Sequence, residues 1–306
     1  MTRPTRATRA GQVYLDLQNL ARSTGRSTEE LLVLYALEGL LDRVSGSVHA
    51  EDLVLKGGVL LAAYEARRPT RDIDLSAADL PNDPNTVLSL ISAVAAVTRD
   101  DGLVFDAPGA RAETIRDEDL YSGVRVSLTA RLDRAELAVH VDVNVGDPVW
   151  PPPGPVELPR LLGGHLTVRG YPLEMVYAEK ILTAVERGTV NTRWRDFGDL
   201  YLLTRQQPAD GARLTRALHE VAGHRRIALN ALTDALPGYA DLAQTRWVAW
   251  VRKQHLADRL PTDFTAVLAA VTAFTDPALT GRAEDLTWDP HQSRWTPPPA
   301  QTSPRR

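Results

Sequence analysis

Cysteine is absent from all 306 residues. That excludes disulfides, thiolate nucleophiles and Cys-ligated zinc or iron–sulfur centres, and it fits a reducing cytoplasm. Long apolar runs are also missing. No stretch approaches the roughly 18 residues a membrane span needs, so no membrane association is expected. Residues 1–26 carry Arg3, Arg6, Arg9, Arg22 and Arg26 without the apolar centre of a secretory signal. Lysine is scarce: Lys56, Lys180 and Lys253 are the only three among 35 basic residues, the rest being arginine. Each is a candidate position for a compact point charge in place of a planar fork. Nor is there a large excess of one sign. The net charge is −4, so a nucleic-acid partner would have to meet a local basic surface. What is present, 43% hydrophobic and 24% charged residues, is the balance of a globular chain.

The patterning is α+β. A basic N-terminal arm with a short helix near Val13–Arg22 occupies residues 1–26. Ser27 and Glu30 form a capping-box pattern opening a helix that runs to about Val44. A short apolar strand or helix end at Leu53–Leu55 is interrupted by Gly57-Gly58, and Val59–Ala66 reads as helical. Asp72–Leu75 is the next strand, and Thr86–Thr98 a further helix. Val124–Leu132 and Leu137–Val145 alternate with period two, as an antiparallel pair with one buried face should. Beyond a short strand or hairpin near Leu166–Val168, five helical patterns follow: Leu173–Arg187, Trp194–Arg205, Gly211–Ala222, Leu242–Arg259 and Thr262–Phe274. The expected organisation is therefore an α/β core over 27–160, a mainly helical domain over 161–295 and a Pro-rich, disordered tail over 296–306.

Arg71-Asp72-Ile73-Asp74 is the sharpest chemical signal. On a strand, Asp72 and Asp74 project to one face while Ile73 points to the core. Two carboxylates this close call for a cation, and Mg²⁺ favours oxygen ligands and phosphates. The alternative is a solvated pair bonded to loop amides. Gly57-Gly58, 14 residues before Asp72, allows backbone to approach a phosphate, with Lys56 beside it. In His140-Val141-Asp142-Val143-Asn144, the polar residues share a face, so Asp142 is a candidate third carboxylate or part of a wet sheet face. Lys180 lies beside the apolar stripe of its helix. Asp196 and Asp199, three residues apart, share a face with Leu200 and Leu203. A salt bridge among them and a catalytic role are both open, and the two can coexist. Residues 187–226 contain eight arginines against four acids, a local net charge of +4. This region, with Arg187, Arg193, Arg195, Arg225 and Arg226, is the candidate RNA-binding surface.

Leu55-Lys56-Gly57-Gly58, Arg68-Pro69-Thr70-Arg71-Asp72-Ile73-Asp74-Leu75, Ala178-Glu179-Lys180 and Arg195-Asp196-Phe197-Gly198-Asp199-Leu200 together resemble the AbiEii/MenT family of nucleotidyltransferase toxins. The resemblance runs from about Tyr14 to Leu279. It implies a polymerase-β-like nucleotidyltransferase core with a C-terminal helical domain. It also implies a divalent metal, Mg²⁺ or Mn²⁺, a nucleoside triphosphate substrate, tRNA as acceptor at its 3′ end, and a cognate antitoxin, a winged-helix protein being one possibility. By the same resemblance Gly57 and Gly58 match the triphosphate-binding turn, Asp72 and Asp74 the metal ligands, Lys180 the essential lysine, and Asp196 or Asp199 the essential late aspartate. Thr70 falls where some relatives carry a phosphorylatable hydroxyl. The chain departs from the family in having Gly-Gly where relatives have Gly-Ser. The expected nucleotide contacts are Lys56, Gly57, Gly58 and Arg71, and the expected metal ligands Asp72, Asp74 and Asp142. The function implied is a Mg²⁺-dependent nucleotidyltransferase that blocks translation in the cytoplasm. The alternatives are transfer to a small molecule or protein, or a non-catalytic nucleic-acid-binding relative. A metal-dependent nuclease is disfavoured, since no acid–x–Lys pair adjoins Asp142.

Overall fold

The computed structural model describes residues 4–77, 80–116, 122–146 and 148–298. Two compact units emerge: Met1–Ala63 with Arg67–Asp147 and Pro153–Tyr171, and Tyr64–Ala66 with Pro148–Pro152 and Pro172–Arg306. The chain passes to the second unit after Tyr171 rather than after residue 160, because residues 165–170 form a strand of the first unit's sheet.

In the first unit, α1 (Arg9–Thr24) is capped by Thr8, whose side chain accepts from the Gly11 amide. Its inward residues Val13, Tyr14 and Leu17 are buried. Helix α2 (Thr28–Ser45) buries Leu31, Leu34, Leu37 and Leu41. The expected capping box does not form. Ser27 makes no side-chain cap bond, and Glu30 instead accepts from Arg26 Nε at 3.1 Å, where both partners are charged.

The sheet contains β1 (Leu53–Lys56), β2 (Asp72–Ala77), β3 (Leu103–Phe105), β4 (Arg111–Arg116), β5 (Ser122–Leu132), β6 (Ala135–Val145), β7 (Gly154–Pro159) and β8 (His165–Gly170). Its order is β3-β5-β6-β2-β1-β8-β7, with β4 also pairing β5. β2 runs parallel to β6 and β1 parallel to β8, and the other pairs are antiparallel. Between β1 and β2 the expected helix shrinks to one α turn, α3 (Gly57–Leu60), and a 3₁₀ turn over Leu61–Tyr64. Helix α4 (Pro84–Ala95) is capped by Asp83, with Pro84 in its first turn.

The second unit is mainly helical: α5 (Leu173–Arg187), α6 (Trp194–Gln206), α7 (Gly211–Arg225), α8 (Leu232–Ala235), α9 (Tyr239–Lys253) and α10 (Phe264–Leu279). Phe264 anchors its core, with ring centroids 5.4 Å from Phe197, 5.7 Å from Tyr239 and 5.0 Å from Trp247. A small sheet of β9 (Ala209–Asp210), β10 (Thr287–Asp289) and β11 (Arg294–Thr296) was not anticipated from the pattern. Thr296, placed in the tail by composition, instead pairs with Thr287 in this sheet, and residues 299–306 lie outside the described residues. No helix among the described residues is long and apolar enough to cross a membrane.

Candidate active site

β2 places its residues as the alternation requires. Ile73 and Leu75 are 0% and 1% exposed, and Asp72 and Asp74 stand half-buried on the opposite face. The parallel register sets Asp74 beside Asp142 of β6 and Asp72 beside His140. Each of Asp72, Asp74 and Asp142 offers a carboxylate oxygen within 4.8 Å of the others. Three converging anionic oxygens form the donor set of a hard divalent cation. The first two carboxylates are held from behind. Thr70, itself buried, donates its hydroxyl to Asp72 Oδ1 at 2.9 Å, and the Gly58 amide donates to Asp74 Oδ2 at 3.3 Å.

The Gly-Gly turn has a steric reason as well as a chemical one. Gly57 has a φ of +68°, and a Cβ built there would lie 1.8 Å from Asp74 Oδ2. A Cβ on Gly58 would lie 2.7 Å from Thr70 Oγ1. The glycine pair thus makes room for the carboxylate and hydroxyl behind it. The Gly-Ser form of the turn would press its side chain on the Thr70 hydroxyl. Lys56 is buried, beside Asp74 in the β1–β2 register and 5.5 Å from the Tyr171 ring centroid. Arg71 is exposed, and its nearest acid, Glu29, lies 3.9 Å away.

Asp142 has a partner that the sequence pattern does not reveal. Arg125 on β5 faces it directly in the antiparallel register, with Nε 2.7 Å from Oδ1 and Nη2 2.6 Å from Oδ2. This is a bidentate fork on a buried carboxylate. The hydrogen bonds to Asp142 raise the guanidinium's pKa further above its usual value, against the opposing effect of burial.

In the second unit, α5 and α6 build an ionic cluster. Lys180 Nζ donates to Asp196 Oδ1 at 3.0 Å and to Asp199 Oδ2 at 2.7 Å. Arg193 Nε donates to Asp196 Oδ2 at 2.5 Å. Asp196 and Asp199 are 1% and 0% exposed. Burial works against the Asp196 carboxylate, yet Lys180 and Arg193 outweigh it and hold its pKa well below the ordinary range. Of the open readings, the salt bridge is therefore present, on both aspartates at once.

The family model of the AbiEii nucleotidyl transferase toxin, type IV toxin–antitoxin system, matches residues 39–279. The chain belongs to the AbiEii nucleotidyltransferase toxin family. A Helicobacter pylori protein described as a candidate nucleotidyltransferase has a similar fold, with a TM-score of 0.51 at 14% identity over 84% of this chain and 98% of its own. JHP933 from Helicobacter pylori aligns at a TM-score of 0.48 and 14% identity over 81% of this chain and 91% of its own. No curated protein matches the chain in sequence. Membership of this family carries nucleotidyl transfer from a nucleoside triphosphate and an antitoxin partner.

Within this AbiEii member, the candidate RNA-contact arginines divide by environment. Arg193 is drawn into the Asp196 cluster. The Arg225 side chain is only 9% exposed, with Nη1 3.1 Å from Thr183 Oγ1 and 4.0 Å from Glu186 Oε2. Arg213 pairs with Glu174 at 2.6 Å, and Arg216 lies over the Trp150 ring at 4.3 Å. Arg187 is half-buried, whereas Arg195 and Arg226 remain exposed. An arginine-rich segment of net charge +4 is thus partly neutralised by its own fold. The two exposed side chains are the better candidates for a phosphate backbone.

Proposed function

We propose that this toxin transfers a nucleoside monophosphate from a nucleoside triphosphate to the 3′ end of tRNA in the cytoplasm, and so blocks translation. The observation that carries the reading is the Asp72, Asp74 and Asp142 carboxylate cluster beside the Gly57-Gly58 turn, in a chain of a nucleotidyltransferase toxin family. Asp72 and Asp74 would hold a divalent ion such as Mg²⁺, which supplies charge neutralisation of the phosphates and activation of the acceptor hydroxyl. In the transfer, the acceptor 3′ oxygen forms a bond to the α-phosphorus and the α–β phosphoanhydride bond breaks. Pyrophosphate leaves and the hydroxyl proton passes to solvent. Thr70 and the Gly58 amide fix the two carboxylates in advance, so that little reorganisation is required on binding. Lys56 and Arg71 would meet the triphosphate, and Arg195 and Arg226 the RNA backbone. A winged-helix protein is the proposed antitoxin.

The test is incubation with each labelled nucleoside triphosphate, Mg²⁺ and total RNA. Label in tRNA-sized RNA that is lost when the 3′-terminal diol is first oxidised by periodate supports the reading. Label confined to small molecules or protein, or RNA cleavage without label, refutes it.

A further inference from the structure

Asp142 is the third carboxylate of the metal-binding set, yet both of its oxygens are engaged by the Arg125 fork at 2.7 and 2.6 Å. Strand register gives the arrangement its context. Across the sheet, Glu113 of β4 faces Arg125, Arg125 faces Asp142, Asp142 lies beside Asp74, and Asp74 faces Lys56. Arg125 therefore stands between two carboxylates on neighbouring strands. Asp142 lies on the metal side and is 7% exposed, whereas Glu113, on the outer side, is exposed. The Arg125 side chain itself is 35% exposed, so it has room to exchange one partner for the other. Asp72 and Glu113 both add to the negative potential it feels.

The charges give the exchange a direction. Asp72, Asp74 and Asp142 carry three negative charges between them, and Arg125 neutralises one at close range. A divalent ion added to all three would sit against that guanidinium and meet Coulomb repulsion in a partly desolvated place. A triphosphate brings negative charge of its own, and an arginine fork binds phosphate as readily as carboxylate.

We propose that Arg125 is an internal counter-cation that withholds Asp142 from the metal site in the nucleotide-free protein and releases it when anionic phosphates, with Glu113, take the guanidinium over. The free site is thus a two-carboxylate site on Asp72 and Asp74, and the third ligand joins only with substrate. Metal and nucleotide binding are thereby coupled, and the coupling resides in one side chain. The inference rests on the reading of the aspartate cluster as a divalent-metal site.

Mn²⁺ binding to the full chain, followed by electron paramagnetic resonance and by calorimetry without nucleotide, tests it. Asp142→Asn should change the free-state Mn²⁺ affinity by less than about threefold, because Asp142 is already withheld and Arg125 retains Glu113 as a screened partner. Arg125→Ala should raise that affinity by about ten- to a hundredfold, the scale of a charge-assisted hydrogen-bond pair no longer competing with the ion. The Arg125→Ala, Asp142→Asn double variant should lose the gain. Should Arg125→Ala fail to fold, Arg125→Gln, whose amide can still bond Asp142, is measured in its place, with a gain of the same direction. With a non-hydrolysable triphosphate added, the factor by which nucleotide tightens Mn²⁺ should be smaller in the Arg125 variant than in wild type.

The proposal is overturned if Asp142→Asn alone loses tenfold or more in free-state affinity, if removing Arg125 leaves the affinity unchanged or lowers it, or if the gain survives in the double variant. Absence of Mn²⁺ binding to any form, with and without nucleotide, would overturn the metal-site reading itself. The two failures are therefore distinct.

Discussion

Replacing Gly57 with Ala separates two explanations of the glycine turn. If the glycine serves only to let a phosphate approach, Ala keeps the backbone amide and should affect nucleotide binding alone. The geometry predicts more. An alanine would have to hold a φ of +68°, at a cost of roughly 1–2 kcal/mol for an L-residue in the left-handed region. Its Cβ would also fall 1.8 Å from Asp74 Oδ2 and 2.4 Å from Asp74 Cγ. The atoms in the way belong to a short side chain on a strand, and Asp74 Cβ itself lies 2.7 Å away, so the turn must shift and Asp74 must also change rotamer. It then loses the Gly58 amide bond at 3.3 Å, a further contribution of about 1 kcal/mol. The combined expectation is about 2–3 kcal/mol of stability, which for a unit of this size lowers the thermal midpoint by roughly 5–10 °C.

The more specific consequence concerns the ion. With Asp74 turned away, Gly57→Ala should weaken Mn²⁺ binding to the level of Asp74→Asn although it removes no ligand. Adding it to Asp74→Asn should weaken Mn²⁺ binding little further, because both changes act through the same carboxylate. Calorimetric Mn²⁺ titration of the two single variants and the double variant, with thermal unfolding alongside, is the assay. Wild-type Mn²⁺ affinity in a folded Gly57→Ala protein would refute the steric argument and return the turn to a purely phosphate-binding role.

Five further outcomes are expected. Asp72→Asn should lower nucleotidyl transfer at least about a hundredfold, the scale of removing a preorganised electrostatic contact, while circular dichroism remains that of the folded protein; near-normal turnover at limiting Mg²⁺ would count against the metal site. Lys180→Ala leaves Asp196 and Asp199 buried without their shared cation and should cost about 3–5 kcal/mol in denaturant unfolding. Lys180→Arg should not restore activity in full, because a planar fork cannot reproduce a point charge between two carboxylates; wild-type turnover would show that any cation suffices. The depressed pKa of Asp196 contributes stability that is present above the unfolded carboxylate value of about 4 and is lost as pH falls toward the folded value, so denaturant unfolding of the wild type should weaken below about pH 4, and less so in Asp196→Asn. Replacing Arg195 and Arg226 by Ala should flatten the salt dependence of tRNA binding by about 0.7 to 0.9 in slope for each phosphate no longer neutralised, with nucleotide affinity little changed; an unaltered slope would move the RNA surface elsewhere.

Much of the site was legible because it depends on local periodicity. An Asp-Ile-Asp on a strand must present both acids together, and Ile73 at 0% exposure is the counterpart buried beneath them. Helix α5 runs over the residues that the apolar stripe marks, Leu173 to Arg187. What period alone cannot supply is the partner of a charge. The arginine-rich segment reads as a basic surface in composition, but Arg193 turns back on Asp196 three residues along, and Arg213 and Arg225 meet Glu174 and Glu186 through helix packing, pairs that no local rule specifies. The α9 boundaries moved for a similar reason. Leu242 is 66% exposed, so the apolar residue expected to open the helix is not a core position. The helix begins at Tyr239, which is buried against Phe264.

Arg125 is hidden from a reading of the pattern by register, and the cause lies in a single turn. Strands at Val124–Leu132 and Leu137–Val145 leave a four-residue loop, which sets Leu132 opposite Leu137 and therefore Ser127 opposite Asp142. The hairpin instead closes with a two-residue turn at Asp133 and Arg134, where Asp133 takes a φ of 52° and Leu132 pairs with Ala135. Tightening the loop by two residues slides the register by two, keeps every side chain on its face, and brings Arg125 rather than Ser127 to Asp142. Ser127 meets His140 instead, at 2.9 Å. The buried pattern is identical in both registers, so hydrophobic alternation cannot choose between them. Asp can enter the left-handed region at little cost, and that makes the short turn available. The length of one turn thus decides whether the third carboxylate of the candidate site faces a hydroxyl or a guanidinium.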